Sequence, residues 1–306
     1  SFDEECVTKC TLRFIRTFRE GPPSMAQNAA LKVPAPRKAR NTVNDLNLKE
    51  WKQYDDLLTD SLWLFPERDR SGTHAADYHG NFVPQIPYQV MTRFTKRGDV
   101  VLDTFLGSGT TLIEAKKLGR HGFGIELQDN VAAMAKERIN DTDTIYQEAK
   151  SRIFIEDSTS NRAQMKVRNA LHSMGKEKLQ MVIAHPPYHD IIQFSDDPND
   201  LSNAKNTEDF CQTFGKIFDN FVPLLESKRY FVLVIGDKYT GGEWIPLGFY
   251  LMKEAMDRGL TLKSLIVKNM AGNRAKRNLE NLWRYRALYG GFYIFKHEYV
   301  MIFRKK

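Results

Sequence analysis

The 306-residue sequence has few cysteines and no long apolar run. Three cysteines, Cys6, Cys10 and Cys211, are too few for a disulfide framework, and the Cys6/Cys10 pair has no nearby partners to complete a zinc site. No apolar run approaches the ~20 residues of a membrane-spanning helix, and Ser1-Phe-Asp-Glu-Glu-Cys6 lacks the basic-then-apolar layout of a secretory signal. We therefore expect reduced thiols, no metal site, no membrane and a soluble cytoplasmic protein.

The sequence also lacks the complete signatures of two common cofactor loops. Gly107 and Gly109 follow an apolar run, where they allow a sharp turn and the close approach of a ligand. The third glycine of the dinucleotide fingerprint is missing because position 112 is Leu, and no Gly-Lys-Ser/Thr ending marks a P-loop. NAD and ATP are therefore disfavoured as cofactors.

Positive charge exceeds negative charge, with 45 Lys and Arg against 38 Asp and Glu and a net charge of +7. A basic protein suits a polyanionic partner, because cations that neutralise phosphates release condensed counterions. Residues 1–40 carry eight Lys/Arg against four Asp/Glu, and prolines interrupt this stretch. We therefore divide the chain into an N-terminal extension, residues 1–44, and one folded domain, residues 45–306. The extension is either a surface segment or a strap on a polyanion.

Apolar runs alternate along the chain with segments of helical spacing. The predicted strands are 100–104, 122–127, 152–156, 181–184, 230–236, 262–268 and 298–304. The predicted helices between them are 110–118, 130–139, 161–174, 207–226 and 246–258. This alternation favours an α/β fold with a doubly wound, seven-stranded, mainly parallel sheet that is covered on both faces.

Two segments precede the first predicted strand. Residues 45–64 space their apolar residues as an amphipathic helix does, with Asp45 as its cap. Residues 77–87 contain a glycine and two prolines. We therefore expect irregular backbone over 77–87.

Three acidic residues lie at the ends of three successive predicted strands. Asp103 ends the first, Glu126 ends the second and Asp157 follows the third. The carboxyl ends of parallel strands line one edge of a doubly wound sheet, where nucleotide cofactors bind. Glu126 is therefore a candidate ligand of ribose hydroxyls and Asp157 of an adenine amino group. Any one of these acids alone could equally be a solvated residue at a strand end, but three at successive strand ends favour a site.

The run Asp103-Thr-Phe-Leu-Gly-Ser-Gly-Thr-Thr111 resembles the S-adenosylmethionine-binding motif of the DNA amino-methyltransferases, Asp-Pro-Phe-X-Gly-Ser-Gly-Thr-Thr, with Thr104 in place of the usual Pro. His79-Gly-Asn-Phe-Val-Pro-Gln-Ile-Pro-Tyr88 is more loosely similar to the segment that closes over the methionine end of the cofactor in this family. The resemblance implies a Rossmann-like class I methyltransferase fold and S-adenosylmethionine as cofactor. The residues implied to bind it are Asn81, Phe82, Pro84, Asp103, Phe105, Gly107, Ser108, Gly109, Thr110, Thr111, Glu126 and Asp157.

A second motif, His185-Pro-Pro-Tyr188, follows the fourth predicted strand. Two prolines fix consecutive φ angles near about −65° and remove two N–H donors, which makes a rigid platform rich in acceptors. The motif resembles the family's catalytic tetrapeptide, in which Asp, Asn or Ser precedes Pro-Pro and an aromatic residue follows. The resemblance implies that His185, Pro186, Pro187 and Tyr188 are catalytic, although His departs from the family pattern.

The chemistry of an exocyclic amino group explains why acceptors are needed there. Its lone pair is delocalised into the base, so acceptors on both amino hydrogens favour a nitrogen that can attack a methyl sulfonium. The Pro186 carbonyl and a neutral His185 imidazole can serve, and Tyr188 would stack on a base rotated out of the duplex. Because the usual first residue is replaced, adenine N6 and cytosine N4 both stay open as targets.

Residues 268–292 form the candidate target-recognition segment, since six Lys/Arg and one acid lie between Lys268 and Arg286. Cations can hold phosphates and aromatic residues can stack, whereas the alternative is a basic surface hairpin with Trp283 and Tyr285 packed inward. The motif order resembles the γ arrangement of the family. We expect double-stranded DNA as partner, with a second copy of the chain and a restriction endonuclease as further candidates. The predicted DNA-binding residues are Arg274, Lys276, Arg277, Trp283, Arg284 and Arg286.

Two other functions use the same motifs. An RNA methyltransferase could act on a base amino group, but such enzymes usually carry an extra RNA-binding domain, which residues 1–75 do not resemble. The unusual His185 also fits a catalytically inactive subunit that binds DNA or pairs with an active methyltransferase. The sequence leaves both open beside the DNA methyltransferase.

Overall fold

The computed structural model describes residues 43–75, 83–187, 195, 197, 200–270 and 280–306. A boundary between Asn41 and Thr42 divides the chain into two units, and the described residues lie in the second. The predicted extension is therefore outside the description except for its last two residues. Several predicted site residues are also outside it, namely Asn81, Phe82, Tyr188, Arg274, Lys276 and Arg277.

A mixed sheet of eight strands forms the centre of the described domain, and the seven predicted strands all belong to it. The strands of the described domain are β1 (Leu62–Trp63), β2 (Val100–Asp103), β3 (His121–Glu126), β4 (Ser151–Ile155), β5 (Leu179–Ala184), β6 (Leu225–Ile235), β7 (Lys238–Thr240), β8 (Glu243–Ile245), β9 (Leu260–Asn269) and β10 (His297–Lys305). The order in the sheet is β1-β9-β10-β6-β5-β2-β3-β4; β10 runs antiparallel to both of its neighbours, and the other pairs are parallel. The remaining strands, β7 and β8, form a separate hairpin.

Helices cover both faces of the sheet, which confirms the predicted doubly wound α/β fold. The helices are α1 (Gln85–Phe94), α2 (Thr110–Lys117), α3 (Asp129–Asn140), α4 (Asn161–Ser173), α5 (Thr207–Phe221), α6 (Leu247–Asp257) and α7 (Glu280–Gly290). Apolar residues of α4, α5 and α6 pack on one face, and those of α1, α2 and α3 pack on the other. Burial of both faces explains why the central strands read as continuous apolar runs.

The predicted helix over residues 45–64 is wrong. A short 3-10 helix, Leu48–Gln53, begins after Asn47, whose side chain accepts from the Lys49 amide. Its Trp51 is 64% exposed, so this segment has no apolar face against the core. Further on, the buried Trp63 belongs to β1, which adds an eighth strand beside β9. The sheet edge therefore outweighed the helical spacing of the apolar residues.

The expectation of irregular backbone over residues 77–87 is also wrong at its end, because α1 begins at Gln85. Pro84 is the N-cap of this helix and Pro87 lies in its first turn. A proline is tolerated there because the first N–H groups of a helix have no intrahelical partner. Ile86, Val90 and Met91 bury this helix against the sheet. Among the described residues, no helix is long and apolar enough to cross a membrane.

Candidate active site

The predicted functional residues converge on one edge of the sheet. Strands β2, β3, β4, β5, β6 and β9 all end there, because they run in the same direction. Asp103 ends β2, Glu126 ends β3, and His185 follows β5. Since β2 pairs directly with β3 and with β5, the predicted cofactor loop and the catalytic tetrapeptide leave adjacent strands.

The cofactor loop makes the sharp turn that its glycines predicted. Gly107 and Gly109 have φ angles of 53° and 91°, which L-residues with side chains rarely adopt. Gly109 is the N-cap of α2. A Cβ on it would meet the Ala135 Cβ at 3.3 Å and the Ile139 side chain at 3.2 Å. Both glycines are thus required by backbone conformation, and Gly109 also by the close approach of α3.

Two further glycines, which the sequence analysis did not single out, let the loop pack against β3. A Cβ on Gly124 would lie 2.7 Å from the Leu106 side chain, and one on Gly122 would lie 2.7 Å from Leu112. Leu112 is the residue that occupies the place of the missing third glycine of the dinucleotide fingerprint. The close packing between helix and strand is preserved here because the glycine lies on the strand instead.

Thr104, the departure from the family motif, ties the loop to both neighbouring strand ends. Its N–H donates to the Ile183 carbonyl at 3.1 Å, and its carbonyl accepts from Ser158 Oγ at 2.5 Å. A proline at this position could not donate the first of these bonds. Ser158, which follows Asp157 beyond β4, was not predicted to have a role because no motif marks it. The cofactor loop is therefore anchored to β5 on one side and to the segment after β4 on the other.

Asp103 is fully buried at the end of β2. Its carboxylate accepts from the Phe105 amide at 2.9 Å and also interacts with the Thr111 hydroxyl. Burial raises the pKa of Asp103 to about 6, although the hydrogen bonds from Thr111 and Phe105 oppose the shift; the nearby Glu126 adds to it. A buried carboxylate without a complete set of donors is costly, so a cationic or hydrogen-bonding ligand would stabilise its charge.

The other two strand-end acids hold the backbone around the site. Glu126 accepts from the Gly107 amide at 2.9 Å and from the Gln128 amide at 3.0 Å. Burial, with Asp200 adding to it, raises the pKa of Glu126. Asp157 accepts from the Thr159 amide at 2.8 Å and its hydroxyl at 2.6 Å. Each carboxylate oxygen has a second lone pair, so these bonds leave capacity for ribose or adenine donors.

The remaining residues of the cofactor prediction divide into lining and packing roles. Phe105 stacks on Phe214 of α5 with ring centroids 6.1 Å apart, so its ring contributes to the core. Thr111 is buried, and its hydroxyl interacts with the Asp103 carboxylate. Ser108 and Thr110 are also buried, and Pro84 is buried at the start of α1. The Asp103 carboxylate and the Thr111 hydroxyl thus lie together in a buried position beside the glycine turn and fit a polar cofactor carrying positive charge.

The predicted catalytic tetrapeptide begins directly beyond β5. The pairing of Asp103 with Ile183 places His185 just past the end of the β2–β5 ladder. His185 is half-buried and Pro186 is buried, whereas Pro187 is half-buried. Burial lowers the pKa of His185, with Glu298 opposing and Lys268 reinforcing the shift. A lowered pKa keeps the imidazole neutral, which is the state that can accept a hydrogen bond.

The candidate recognition segment is partly structural. Lys268 Nζ forms an ion pair with Glu298 Oε1 at 2.9 Å, and both side chains are buried. The Asn269 amide both accepts from the Phe65 N–H and donates to the Phe65 carbonyl. The first two residues of the segment therefore belong to the sheet, and only the part beyond them can reach a ligand.

Beyond the sheet, the segment contains helix α7 rather than a hairpin. Arg284 and Arg286 are exposed, and the Arg286 guanidinium lies 5.4 Å from the centre of the half-buried Trp283 ring. Two tyrosines of α7 that are not among the predicted DNA-binding residues are exposed as well. Tyr285 and Tyr289 are 64% and 85% exposed, and their rings stack 6.1 Å apart.

Two phenylalanines that follow α7 pack on the β7–β8 hairpin. Phe292 stacks on Tyr239 at 4.5 Å between ring centroids, and Phe295 packs on Trp244 at 4.2 Å. Asp237 holds this hairpin by accepting from Trp244 Nε1 at 3.0 Å and from the Gly248 amide at 3.1 Å. Asp237 is therefore a structural turn acid. The hairpin therefore contacts the end of the candidate recognition segment at the carboxyl edge of the sheet.

Comparison with known families matches residues 15–137 to the family described as DNA methylase. The match begins inside the predicted extension and ends in α3, so it includes the cofactor loop. The chain is also 34% identical over 111 residues to the type II methyltransferase M2.LlaDCHI of Lactococcus lactis subsp. cremoris, covering 34% of this chain and 38% of that protein.

Two further relatives have similar names. The type II methyltransferase M2.DpnII of Streptococcus pneumoniae is 36% identical over 110 residues, which cover 34% of this chain and 38% of that protein. The type II methyltransferase M.MjaII of Methanocaldococcus jannaschii is 29% identical over 102 residues, which cover 31% of this chain and 19% of that protein. The chain thus spans less than two fifths of the length of these relatives.

Proposed function

We propose that the protein transfers a methyl group from S-adenosylmethionine to an exocyclic amino nitrogen in double-stranded DNA, because residues 15–137 match the family described as DNA methylase and the relatives are named type II methyltransferases. The acceptor is N6 of adenine or N4 of cytosine in a base rotated out of the duplex. The observation that carries the proposal is the emergence of the cofactor loop and the His185 tetrapeptide from adjacent, hydrogen-bonded strands at one edge.

The residues that would hold the cofactor are those of the glycine turn and the strand-end acids. Asp103 and Thr111 offer buried polar atoms, Gly107 and Gly109 allow close backbone approach, and Glu126 offers lone pairs to ribose. When bound, S-adenosylmethionine supplies a methyl group on a positively charged sulfur. The raised pKa of Asp103 fits a carboxylate that is completed by such a cation.

The tetrapeptide would prepare the amino nitrogen. The Pro186 carbonyl and the neutral His185 imidazole each accept one amino hydrogen, which directs the nitrogen lone pair towards the methyl group. The new N–C bond forms as the C–S bond breaks, and the nitrogen then loses one proton. His185 can receive that proton because its lowered pKa leaves it neutral beforehand. Tyr188 is proposed to stack on the target base.

Helix α7 and the residues before it would contact DNA. Exposed Arg284 and Arg286 can hold phosphates, and the exposed Tyr285–Tyr289 stack can lie against bases or fill the gap that a flipped base leaves. The proposed contacts also include Trp283 and, outside the described residues, Arg274, Lys276 and Arg277. The type II names of the relatives extend the proposal to a restriction-modification system.

The test is to incubate the protein with labelled cofactor and unmodified duplex DNA, digest the product to nucleosides and separate them by mass. We expect N6-methyladenosine or N4-methylcytidine as the deoxynucleoside. Single-stranded DNA and RNA of the same sequence serve as competing substrates, and preference for RNA would contradict the proposal. Finding only 5-methylcytosine would also overturn it, because the tetrapeptide chemistry acts on an amino nitrogen.

An inactive DNA-binding subunit is the second candidate, and the observation that favours it is the histidine at position 185. The variants H185D and H185A separate the two. If His185 is the working acceptor, H185A loses methyl transfer while it retains cofactor binding by calorimetry. If wild-type protein binds cofactor and DNA but transfers no methyl group, and H185D gains activity, the inactive subunit is the correct description.

A further inference from the structure

A buried ion pair lies at the same edge of the sheet as His185 and on the same face. Lys268 of β9 and Glu298 of β10 are directly opposite in the strand register, with Nζ and Oε1 2.9 Å apart. Their side chains are only 7% and 8% exposed. A buried pair of this kind costs desolvation energy and is weak evidence for stability, so its place beside the proposed catalytic residue calls for a functional explanation.

The alternation of side chains along strands puts the pair and His185 on one face. Residues two apart in a strand share a face, and Ile183, Ile266 and Val300 all belong to the core cluster under α1. His185 and Lys268 therefore extend this face by two residues at the carboxyl ends of β5 and β9. Glu298 precedes Val300 by two residues on β10, whose amino end lies at the same edge.

Strand β6 lies between His185 and the ion pair. The register of β6 with β5 puts Val234 beside the position of His185, and its register with β10 puts Gly236 beside Glu298. Val234 and Gly236 are two residues apart and therefore belong to the same face of β6. The diagonal from His185 to Glu298 crosses β6 between these two residues, and Gly236 has no side chain to separate the Glu298 carboxylate from the imidazole.

Few other charged groups face this position among the described residues. Asp103 of β2 lies on the same face, one step further down the ladder, opposite Ile183. Asp237 of β6 points to the other face, where it accepts from Trp244 and Tyr299. Helix α1 covers the His185 face with uncharged buried residues. These are Ile86, Pro87, Gln89, Val90 and Met91.

We propose that Glu298, held in place by Lys268, is a positioning residue that sets the protonation of His185 for its role as acceptor. The carboxylate favours the imidazolium and the ammonium disfavours it, so the intact pair leaves the imidazole neutral. The inference rests on the proposed function for its chemical meaning. Its test nevertheless has a readout that is independent of methyl transfer.

The experiment follows the His185 imidazole by NMR as pH changes. The chain has seven histidines, and the His185 signal is assigned by its loss in H185Q. In E298Q the unpaired Lys268 ammonium should lower the pKa of His185, and in K268M the unpaired Glu298 carboxylate should raise it. Opposite shifts of the two single variants are the expected result. Shifts in the same direction, or no shift in folded protein, would overturn the proposal.

A second pair of variants guards against unfolding. K268E/E298K retains an ion pair but exchanges its charges. The cation then occupies position 298, whose charge has the larger influence on His185, so this variant should lower the pKa of His185 below its wild-type value. An unchanged pKa in this folded variant would contradict the proposal. K268M/E298Q, which removes both charges, should give a value between those of the single variants, and a value outside that interval would also count against it.

The rate of methyl transfer gives the functional readout. A change of one unit in the pKa of His185 alters the neutral fraction up to about tenfold on the acid side. As pH falls, K268M should therefore lose activity at a higher pH than wild type does, and E298Q should lose it at a lower pH. Opposite NMR shifts without any methyl transfer would leave the positioning role intact and contradict only the proposed function.

Discussion

At the scale of single residues, the site is built around groups whose burial conflicts with their charge. Asp103 is fully buried, and its pKa is raised to about 6. His185 is half-buried and its pKa is lowered. Both shifts favour the neutral form of the side chain. Such conflicts are typical of functional sites rather than of structural cores.

The pH dependence of cofactor affinity follows from Asp103. Its carboxyl has a pKa of about 6 in the folded protein, and a cationic cofactor binds the ionised form. We expect the affinity for S-adenosylmethionine to fall roughly tenfold between pH 7.5 and pH 5, because only about a tenth of a group with that pKa is ionised at pH 5. Isothermal titration calorimetry at several pH values measures this change.

The control is D103N, which cannot ionise. It should bind the cofactor weakly at both pH values, with little dependence on pH. D99N changes the other buried acid of this strand region, at the opposite end of β2, where the carboxylate pairs with Arg229 at 3.3 Å. D99N should keep the pH dependence of binding, and a flat profile in wild type would contradict the role of Asp103.

Asp103 also makes the free energy of unfolding of the cofactor-free protein depend on pH. The pKa of Asp103 is higher in the folded protein than its ordinary value of 3.8, so the folded state retains the proton longer. Its favourable contribution is complete below about pH 4 and is lost as pH rises to about 6, which lowers the free energy of unfolding by up to about 3 kcal/mol. Urea unfolding should show D103N lacking this component, and an identical pH slope in both proteins would refute it.

At the scale of elements, glycines decide how closely the cofactor loop and helix α2 approach β3. Gly124 lies under Leu106 of the loop, and Gly122 lies under Leu112 of the helix. Added side-chain atoms at either position would enter space that is already occupied. These two positions therefore offer a matched pair, with the same substitution and the same close contact but different neighbours.

We expect G124A and G122A each to lower the free energy of unfolding by about 1–3 kcal/mol, as overpacking in a dense core does. G124A should in addition weaken S-adenosylmethionine binding, because Leu106 is part of the glycine turn. Denaturant unfolding and calorimetry measure the two effects. Equal cofactor affinities in the two variants would show that the loop does not depend on this contact.

Helix α7 is the element that we expect to bind DNA. Y285A/Y289A removes both exposed rings and should weaken duplex binding by about 1–3 kcal/mol for each base that is contacted, without lowering thermal stability. Fluorescence anisotropy with labelled duplex measures the loss. Y250A removes a tyrosine of α6 that is 45% exposed and should leave DNA binding unchanged. Equal effects of Y250A and the double variant would remove α7 from the interface.

At the scale of the whole molecule, the net charge of +7 predicts a polyelectrolyte contribution to DNA affinity. Raising the salt concentration from 50 to 200 mM should weaken duplex binding steeply, because each neutralised phosphate adds about −0.9 to the slope of log K against log salt. Cofactor affinity should change little. R284A/R286A should reduce the slope by about 2, and an unchanged slope would place these arginines away from the phosphates.

Much of the fold could be predicted because its strands are buried on both faces. All seven predicted strands and five predicted helices are present in the structure. The failures have local causes. Residues 45–64 have helical spacing but pack at a sheet edge, α1 begins among prolines, and α7 has exposed apolar residues without an amphipathic pattern. For the first two segments, tertiary contacts rather than periodicity decided the conformation.

The sequence by itself determined the cofactor loop, the tetrapeptide and their order, because glycine conformation, proline rigidity and strand-end acids are properties of short segments. Only the tertiary structure decided which side chains share a face at the carboxyl edge. Lys268, assigned from sequence to a basic recognition segment, lies in a buried pair with Glu298. That pair depends on the register of two antiparallel strands separated by the recognition segment, and register is fixed by packing across the whole sheet.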